Sequence, residues 1–323
     1  MSEKKTVLVA GDLILDHSRF LTYERQSPEE PVCPVGHHEG TTWALGGAGN
    51  AARWVRRLSD ADTILIGHYA RIGGPFEWLR SLARADDIEI GSHLERQCGE
   101  MTVKERIYLR GVKDSTWRQV VRIDRDTNIQ LTPHEARTLC AHLELTMASQ
   151  RPAILIIADY GKGVFTGDHA PLLLEKLQDL VVVHRIPTVV NSKYPARWAR
   201  FVTDVLVCNE AEHQSLRGSP VAARHLLITK ADKGVTAYVH GGTPSVTQRF
   251  HAPTVATDVQ DVTGAGDAFL AGLTTNLVHI QFRRGQVLEN GMLAEAVAEG
   301  QAAAAHCVEQ LGCGAPGMTE VEG

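Results

Sequence analysis

The chain has 323 residues, of which 43% are hydrophobic, enough to bury a large core and to favour one large α/β domain over two equal ones. The formal net charge is −5 with both signs interspersed, which argues against nucleic acid as a partner, because phosphate backbones attract basic surfaces. The apolar run before Gly11 and Asp12 is too short for a signal peptide or a membrane span, and we expect a cytoplasmic protein without membrane contact.

Short apolar strands alternate with helices along most of the chain. Residues 6–10 predict a buried strand that ends in the turn GDLILD, and apolar residues at helical spacing begin near Gly49. Further buried strands are predicted over 63–67, 153–159, 188–191, 205–209 and 225–229. Helices are predicted over 134–148, 167–180 and 291–311. This alternation is typical of a mostly parallel sheet covered on both faces, which binds ligands at the carboxyl ends of its strands.

Two segments, 16–45 and 98–124, lack a long helical pattern. They carry short alternations of polar and apolar residues, as in MTVKERIYL and RQVVRID, which predict antiparallel strands. We interpret them as a small β-sheet lid over a ligand site, with edge strands of the main sheet as the alternative. The tail after Gly312 is expected to be loose.

Cysteine and histidine spacing gives no indication of a metal site. The six cysteines form no C-x-x-C pair, and the fifteen histidines form no H-E-x-x-H motif. We therefore expect reduced, mostly buried thiols and no zinc.

The most informative motif is DVTGAGDAFLAGL at residues 261–273. Gly264 and Gly266 permit backbone geometry that a Cβ forbids, and apolar residues follow at helical spacing, so the glycines lie at a helix N-terminus. The amides of Ala265, Gly266 and Asp267 then point outward with the positive end of the helix dipole, which suits a phosphate. Asp267 stands where a general base acts, although an acidic residue is also common in a first helical turn.

This motif resembles the D-T-x-G-A-G-D signature of the ribokinase-like, or PfkB, family of sugar and nucleoside kinases, with Val262 in place of the usual Thr. In that family the glycine-rich turn forms an anion hole, and the last Asp takes the proton from the sugar hydroxyl that attacks the γ-phosphate of ATP. The resemblance implies these catalytic roles for Gly264, Ala265, Gly266 and Asp267.

A second glycine-rich loop, GGAGNAARWVRRL, covers residues 46–58. By itself it also fits a tight turn with close helix packing or a dinucleotide-binding loop, although no clean apolar strand precedes it. It resembles the G-G-x-x-N of PfkB kinases, which holds sugar hydroxyls. The resemblance implies substrate-binding roles for Gly46, Gly47 and Asn50, together with Asp16 in GDLILD.

Several strings resemble one subgroup, the bacterial D-glycero-β-D-manno-heptose 7-phosphate kinases. RQSPEEPVCPV is similar to its R-I-S-P-E-A-P-V-P-V-V stretch, TVKERIYLRG with VVRID to its T-V-K-x-R and L-R-I-D, and ADYGKGVFT to its S-D-Y-G-K-G. The similarity runs from about residue 6 to 312 with the motifs in order.

A sugar phosphate needs cations at the end distant from the reacting hydroxyl. The matched motifs supply these substrate-binding candidates as Lys104, Arg106, Lys162 and Lys193. Each of them could also be a solvated surface cation, and Arg122 could pair with Asp124 in the lid.

The nucleotide side is implied by two further matches. VLVCNEAE resembles the family's N-x-x-E, in which Asn209 and Glu212 help to organise Mg²⁺, chiefly through water; a glutamate in a first helical turn is the alternative. TKADKG implies that Lys230 and Gly234 border the phosphates or the ribose of ATP.

Two positions depart from the subgroup. VNSK at 190–193 stands where the subgroup has V-D-P-K, so that Asn191 carries an amide in place of a carboxylate. GHYARIGGP at 67–75 replaces the usual V-G-D-D. Both changes concern the identity of the sugar more than the transfer chemistry.

The resemblance implies a ribokinase-like three-layer αβα sandwich, with one domain over 1–323 and lid segments near 16–45 and 98–124. The implied activity is transfer of the γ-phosphate of ATP, with Mg²⁺, to the anomeric hydroxyl of a heptose 7-phosphate, in a homodimer joined through the lid sheet. A PfkB kinase for another sugar, sugar phosphate or nucleoside is one alternative. A non-catalytic sugar- or nucleotide-binding regulator is another, and the intact Asp267 argues against it.

Overall fold

The computed structural model describes residues 4–30, 32–70, 74–91, 94–96, 101–113, 116–126, 130–216, 221–239, 248–312 and 321–322. Within these ranges the strands are β1 Thr6–Gln26, β2 Pro34–Gly47, β3 Asp62–Ala70, β4 Glu89–Ile90, β5 Leu94–Arg96, β6 Thr102–Arg110, β7 Arg118–Arg125, β8 Ile154–Asp159, β9 Thr188–Ser192, β10 Val205–Asn209, β11 His225–Thr229, β12 Val235–Val239, β13 Gln248–Ala252 and β14 Val321–Glu322. The α-helices of the same ranges are α1 Ala48–Leu58, α2 Gly74–Ala85, α3 Pro133–Gln150, α4 Ala170–Val183, α5 Glu210–Gln214, α6 Ala265–His279 and α7 Asn290–Val308.

The main sheet has the strand order β13-β12-β11-β10-β9-β8-β1-β3, with β4 and β5 both beside β3. Neighbouring strands from β11 to β3 are parallel, whereas β12 and β13 extend the sheet as antiparallel strands. The predicted mostly parallel sheet is therefore confirmed. Because parallel strands align their carboxyl ends, the loops after β8, β9 and β10 meet at one edge.

Helices cover both faces of this sheet. Successive residues of β1 enter two different cores, since side chains alternate across a strand: Val7 and Val9 belong to one cluster, Leu8 and Ala10 to the other. The helices α1, α2, α6 and α7 contribute to the first core, and α3 and α4 contribute to the second. These layers form the three-layer αβα sandwich that the sequence predicts.

The first strand is much longer than the sequence pattern indicates. The prediction that GDLILD is a turn was wrong, because β1 runs straight through it: it pairs with β3 as far as Asp12 and with β2 from Leu13 onwards. Gly11 permits this passage, since a Cβ at this position would lie 2.1 Å from the carbonyl oxygen of Ala158 in β8. Leu13, Ile14 and Leu15, which follow Asp12, are buried and apolar, as the interior of a strand requires.

The second half of β1 enters another sheet, with the order β7-β6-β1-β2-β14, which we call the lid sheet. The β1–β2 and β6–β7 pairs are antiparallel, as predicted, but β6 runs parallel to β1. The register puts Asp16 opposite Lys104 of β6 and Ala44 of β2. Positions 31, 98–100 and 114–115 of the predicted lid segments, 71–73 of GHYARIGGP and 313–320 of the tail lie outside the described residues.

Free thiols occur in several settings. Cys208 and Cys307 are buried, Cys140 is half-buried and Cys33 is exposed, while Cys98 and Cys313 lie outside the described residues. In the part of the chain that the structure describes, no cluster of three or more His, Cys, Asp or Glu side chains has the geometry to hold a metal ion. None of the described helices is both long enough and apolar enough to cross a lipid bilayer.

Candidate functional site

Polar side chains from five elements meet at the carboxyl edge of the main sheet, beside the lid sheet. Asp16 comes from β1, Asn50 from the start of α1, Lys104 from β6, Tyr160 from the loop after β8 and Asp267 from the start of α6. Hydrogen bonds, ring contacts and charge interactions connect them. The helix N-termini and the strand ends thus converge where this sheet architecture binds ligands.

Asp267 lies in the first turn of α6 and is only 6% exposed. Its Oδ2 accepts a hydrogen bond of 2.8 Å from Nδ2 of Asn50, and its Oδ1 accepts one from the Tyr160 hydroxyl. Burial raises the pKa of Asp267 to about 6, against the two hydrogen bonds and the charge of Lys104, which lower it. A carboxylate with this pKa can accept a proton near neutral pH.

Asn50 is fully buried, and its amide faces Asp267. Its Oδ1 has no hydrogen-bond partner among the described residues. Because a buried unpaired acceptor is unfavourable, this oxygen suits a hydroxyl donor from a ligand. The unpaired oxygen is compatible with the sugar contact expected of Asn50, and the structure adds a contact with Asp267.

The glycine-rich turn before α6 has the geometry of a helix start. Gly264 adopts the left-handed conformation with φ 82°, and a Cβ on Gly266 would meet nothing within 4 Å, so the space before the helix is open. The expectation that the Ala265 amide points outward was wrong, since it donates to the Val262 carbonyl at 3.3 Å and closes the turn. The next amides of the first turn have no acceptor within the helix.

A lid residue holds the loop that leads to this turn. Asp261 accepts hydrogen bonds from the Tyr108 hydroxyl at 2.7 Å, from the Thr263 amide at 2.9 Å and from the Gly312 amide at 3.1 Å. Burial raises the pKa of Asp261, but these hydrogen bonds outweigh it and the pKa is lowered, so the carboxylate is charged. The lid sheet and the glycine-rich turn are thereby joined.

Asp16 and Arg106 form a buried ion pair between β1 and β6. Arg106 was expected to bind the phosphate of the sugar, whereas in the structure it pairs with Asp16. A Cβ on Gly46 would lie 2.2 Å from Asp16 Oδ2, and a Cβ on Gly47 would lie 2.6 Å from the Asp12 carbonyl oxygen. The two glycines permit the close approach of β2 to β1.

Two of the candidate lysines lie against the ring of Tyr160. Lys104 Nζ is 5.4 Å and Lys193 Nζ is 5.6 Å from the ring centroid. Burial lowers the pKa of Lys104, and Lys193 and Arg122 lower it further against the charges of Asp16 and Asp267. These ammonium groups form a cationic pair on the ring whose hydroxyl donates to Asp267.

Lys162 in the loop after β8 and Arg122 in the lid sheet both have acidic neighbours. Lys162 Nζ lies 2.6 Å from Asp126 Oδ2. Arg122 donates twice to Asp124, at 2.7 Å in each bond, as the alternative for this residue anticipated.

Asp12 is a buried residue of the site that the sequence patterns do not single out. Its carboxylate accepts the backbone amides of Tyr160 at 2.8 Å and of Lys162 and Val164 at 3.0 Å each. Burial and the neighbouring Asp159 raise its pKa to about 6, while the three amides lower it. Asp12 therefore fixes the loop that carries Tyr160 and Lys162.

Asp159, the last residue of β8, fixes the next loop. It accepts from Ser192 and Trp198 at 2.8 Å and from Arg197 at 2.8 and 2.9 Å. Its own carbonyl accepts the Lys193 amide at 3.0 Å. Asn191, the amide at the altered NSK position, donates to the Val207 carbonyl of β10 at 3.3 Å. A run of polar residues after two buried strands is the sequence signal that points to this pair of loops.

The N-x-x-E residues form a capping box at the start of the short helix α5. The backbone amide of Glu212 donates to Asn209 Oδ1, and the backbone amide of Asn209 donates to Glu212 Oε2, at 2.8 Å in both bonds. Burial raises the pKa of Glu212, and the Asn209 amide and Lys193 lower it. The first-turn glutamate alternative thus describes their local structure.

Lys230 and Gly234 shape the turn between β11 and β12. The Lys230 ammonium lies 3.7 Å from Glu210 of α5, and its backbone amide donates to the Gly234 carbonyl at 2.8 Å. Gly234 has φ 82°, and a Cβ there would lie 2.1 Å from the Ala252 carbonyl oxygen. Both residues, like Asn209, lie at the carboxyl ends of the parallel strands of the main sheet.

Comparison with known proteins covers nearly the whole chain. A family model described as pfkB family carbohydrate kinase matches residues 5–320. The Bifunctional protein HldE of Caulobacter vibrioides is 29% identical over 290 residues, which are 83% of this chain and 55% of the relative. The Bifunctional protein HldE of Geobacter sulfurreducens is 29% identical over 285 residues, 82% of this chain and 54% of the relative. The chain spans about half the length of these curated relatives.

Solved structures share the fold at low sequence identity. A ribokinase from Giardia lamblia matches with a TM-score of 0.70 at 14% identity, covering 96% of this chain and 95% of that one. Phosphofructokinase-2 from Escherichia coli matches with a TM-score of 0.64 at 16% identity, covering 93% and 92%. With the family match over residues 5–320 and the Asp267 site at the sheet edge, the chain belongs to the pfkB family of carbohydrate kinases.

Proposed function

We propose that this kinase transfers the γ-phosphate of ATP to the anomeric hydroxyl of a heptose 7-phosphate, giving a heptose 1,7-bisphosphate. The observation that carries the proposal is that Lys104 and Lys193 lie on the ring of Tyr160, whose hydroxyl donates to the buried Asp267. A carboxylate that accepts a proton and cations that pair with a distant phosphate are the two groups a sugar-phosphate kinase needs in one site. The RQSPEEPV, TVKER and DYGKG strings support the heptose subgroup.

The chemistry assigned to the residues follows from their positions. Asp267 takes the proton of the attacking hydroxyl, whose oxygen forms a bond to the γ-phosphorus as the bond to the leaving ADP oxygen breaks. Asn50 holds Asp267 with its amide and offers its unpaired Oδ1 to a sugar hydroxyl. The open space before Gly266 and the first-turn amides of α6 receive the negative charge of the transferred group.

The nucleotide and magnesium expectations fit these residues in part. The open cradle at Gly266 suits a phosphate, and we assign Lys230, Gly234 and Asn209 to the nucleotide side. Mg²⁺ keeps much of its hydration and needs few carboxylates besides phosphate oxygens, so Glu212 can serve although it also caps α5. Bound there, the ion would neutralise phosphate charge.

Lys193→Ala raises KM for the sugar phosphate about tenfold or more and raises KM for ATP far less, because the lost charge pairs with the phosphate of the sugar and reaches the nucleotide side only through Glu212. Lys162→Ala acts in the same direction with a smaller effect, since its ammonium already has Asp126 as a partner. Lys230→Ala serves as the matched control and raises KM for ATP instead. Initial-rate kinetics with each substrate varied provide the measurement; equal effects of Lys193→Ala on both KM values would place this lysine on the nucleotide side.

We also propose a cytoplasmic homodimer that pairs through the lid sheet. All residues of β7 are exposed, and Val120, Val121 and Ile123 are 47%, 45% and 41% exposed. Apolar side chains beside an open strand edge favour a second copy as the partner. The mass measured by light scattering is expected to be twice that of one chain. Val121→Lys with Ile123→Lys halves it, whereas Leu145→Lys on α3, 64% exposed, does not; a monomeric parent chain contradicts the proposal.

A further inference from the structure

The Tyr160 hydroxyl occupies one of the two oxygens of the Asp267 carboxylate. It donates to Asp267 Oδ1, while Asn50 donates to Oδ2. With both donors in place, Asp267 is only 6% exposed. A sugar hydroxyl has to come within hydrogen-bonding distance of this carboxylate before it can lose its proton.

Of the two donors, Tyr160 is the one that can leave. Asn50 is 0% exposed and is fixed in the first turn of α1, whereas Tyr160 is half-buried at the start of a loop. The backbone of Tyr160 is held, because its amide donates to Asp12 at 2.8 Å. A rotation of the side chain therefore uncovers Asp267, and the loop itself need not move.

The same ring carries the cations expected to bind the phosphate of the sugar. Lys104 and Lys193 lie 5.4 and 5.6 Å from its centroid and are attracted by its π face. A phosphate attracts both ammonium groups more strongly than the ring does, because it carries full negative charge. Arrival of a phosphorylated sugar thus removes the two cation contacts of the Tyr160 ring, whose packing against the first core remains.

We propose that Tyr160 is a positioning residue that holds Asp267 in the ligand-free enzyme and is exchanged for the sugar hydroxyl when a sugar phosphate engages Lys104 and Lys193. This inference rests on the proposed function, in which Asp267 is the base. It couples recognition of the distant phosphate to exposure of the reacting carboxylate.

The charged and titratable groups around Asp267 define what a pH profile can report. They are Asp16 from β1, Lys104 from β6, Tyr160 from the loop after β8, Lys193 from the loop after β9, Asp261 from the loop before α6 and Cys307 from α7. Burial raises the pKa of Cys307 to about 12, and Asp267 and Asp261 raise it too. Removing the Tyr160 hydroxyl leaves all the other groups in place.

Tyr160→Phe tests the exchange because it removes only the hydroxyl. The dependence of kcat/KM on pH reports the free enzyme, and that of kcat reports the substrate complex. Losing a donor to the carboxylate raises the pKa of Asp267, so the acid limb of kcat/KM moves to higher pH by roughly one unit. The acid limb of kcat stays where it is, because Tyr160 has already left Asp267 in the complex. The assay uses ATP and D-glycero-D-manno-heptose 7-phosphate.

Each other outcome overturns the inference. An unchanged acid limb of kcat/KM shows that Tyr160 does not hold Asp267 in the free enzyme. Equal shifts in both limbs show that Tyr160 stays on Asp267 in the complex. Tyr194→Phe is the matched control: its ring packs on Arg197 at 5.1 Å in the neighbouring loop, and neither limb should move.

A second readout separates this inference from the proposed function. Carbon NMR of ¹³C-carboxyl-labelled aspartate, with Asp267→Asn to assign the signal, gives the Asp267 pKa in the ligand-free protein without turnover. The pKa rises in Tyr160→Phe if the inference holds and is unchanged if it fails. If Asp267→Asn instead keeps its activity, the proposed function fails, whatever the titration shows.

Discussion

Replacing Asp267 by asparagine lowers kcat by at least about a hundredfold while ATP binding persists, because a positioned base contributes two to four orders of magnitude and an amide cannot take the proton. In the parent enzyme the same residue sets the acid limb of the pH profile. Burial raises its pKa to about 6, so activity falls as the pH drops through this value and Asp267 becomes protonated. Steady-state kinetics and nucleotide titration measure both effects.

The stability of this variant supplies the control for folding. The folded-state pKa of Asp267 is raised, so the stability it contributes is present at low pH and is lost as the pH rises through about 6. Asp267→Asn removes this loss, and the variant should be more stable than the parent at pH 8 by about 2 to 3 kcal/mol and equally stable near pH 4. Denaturant unfolding at the two pH values measures it. A variant that keeps more than a tenth of the parent kcat would show that Asp267 is not the base.

The second large effect concerns the phosphate of the substrate. A heptose 7-phosphate should be used with kcat/KM about a hundredfold or more above the free heptose, because an unphosphorylated sugar leaves the cations of the site unpaired. Lys104 should contribute most to this preference. Burial already lowers its pKa, so its charged form is unfavourable unless a phosphate pairs with it. Hexose 6-phosphates place their phosphate one carbon nearer to the anomeric centre and should also be poorer substrates. A panel of sugars and sugar phosphates assayed by ADP release measures the ratios.

One result of the same panel would contradict this selectivity. Faster turnover of fructose 6-phosphate or ribose than of any heptose phosphate would remove the heptose assignment and leave the general sugar-kinase activity. The altered position Asn191 bears on this selectivity. Its side-chain amide donates to the Val207 carbonyl of the neighbouring strand β10. The amide that replaces the carboxylate of the heptose subgroup therefore contributes to the pairing of β9 with β10.

The fold could be predicted largely because local patterns determine its elements. The buried strands β8 to β11 are short apolar runs, and α3 begins with the capping box of Thr132 and Glu135. The continuation of β1 could not be predicted in the same way, because Gly11 and Asp12 are typical of turns. Only the carbonyl of Ala158, close to Gly11, shows why the strand needs glycine there. The helix α2 and the antiparallel strands β12 and β13 were also not predicted, although α2 is amphipathic.

The site residues that lie within a sequence motif could be predicted, whereas contacts between residues far apart in the sequence could not. The GAGD motif places Asp267 at a helix start, as the structure does. The Tyr160 contact joins residues 107 positions apart, and the Asp16–Arg106 pair joins residues 90 positions apart. Such pairings depend on the register of β1 with β6 and on the loop that Asp12 fixes, neither of which a motif encodes.

Phosphorus NMR of the reaction product tests the central claim most directly. The enzyme is incubated with ATP, Mg²⁺ and D-glycero-D-manno-heptose 7-phosphate, and the product is compared with the starting sugar. We predict a new phosphate ester coupled to H1 beside the unchanged 7-phosphate, formed together with ADP and absent with Asp267→Asn. ADP formation with a new ester at any other carbon, or no transfer to this sugar while another sugar is phosphorylated, would contradict the account.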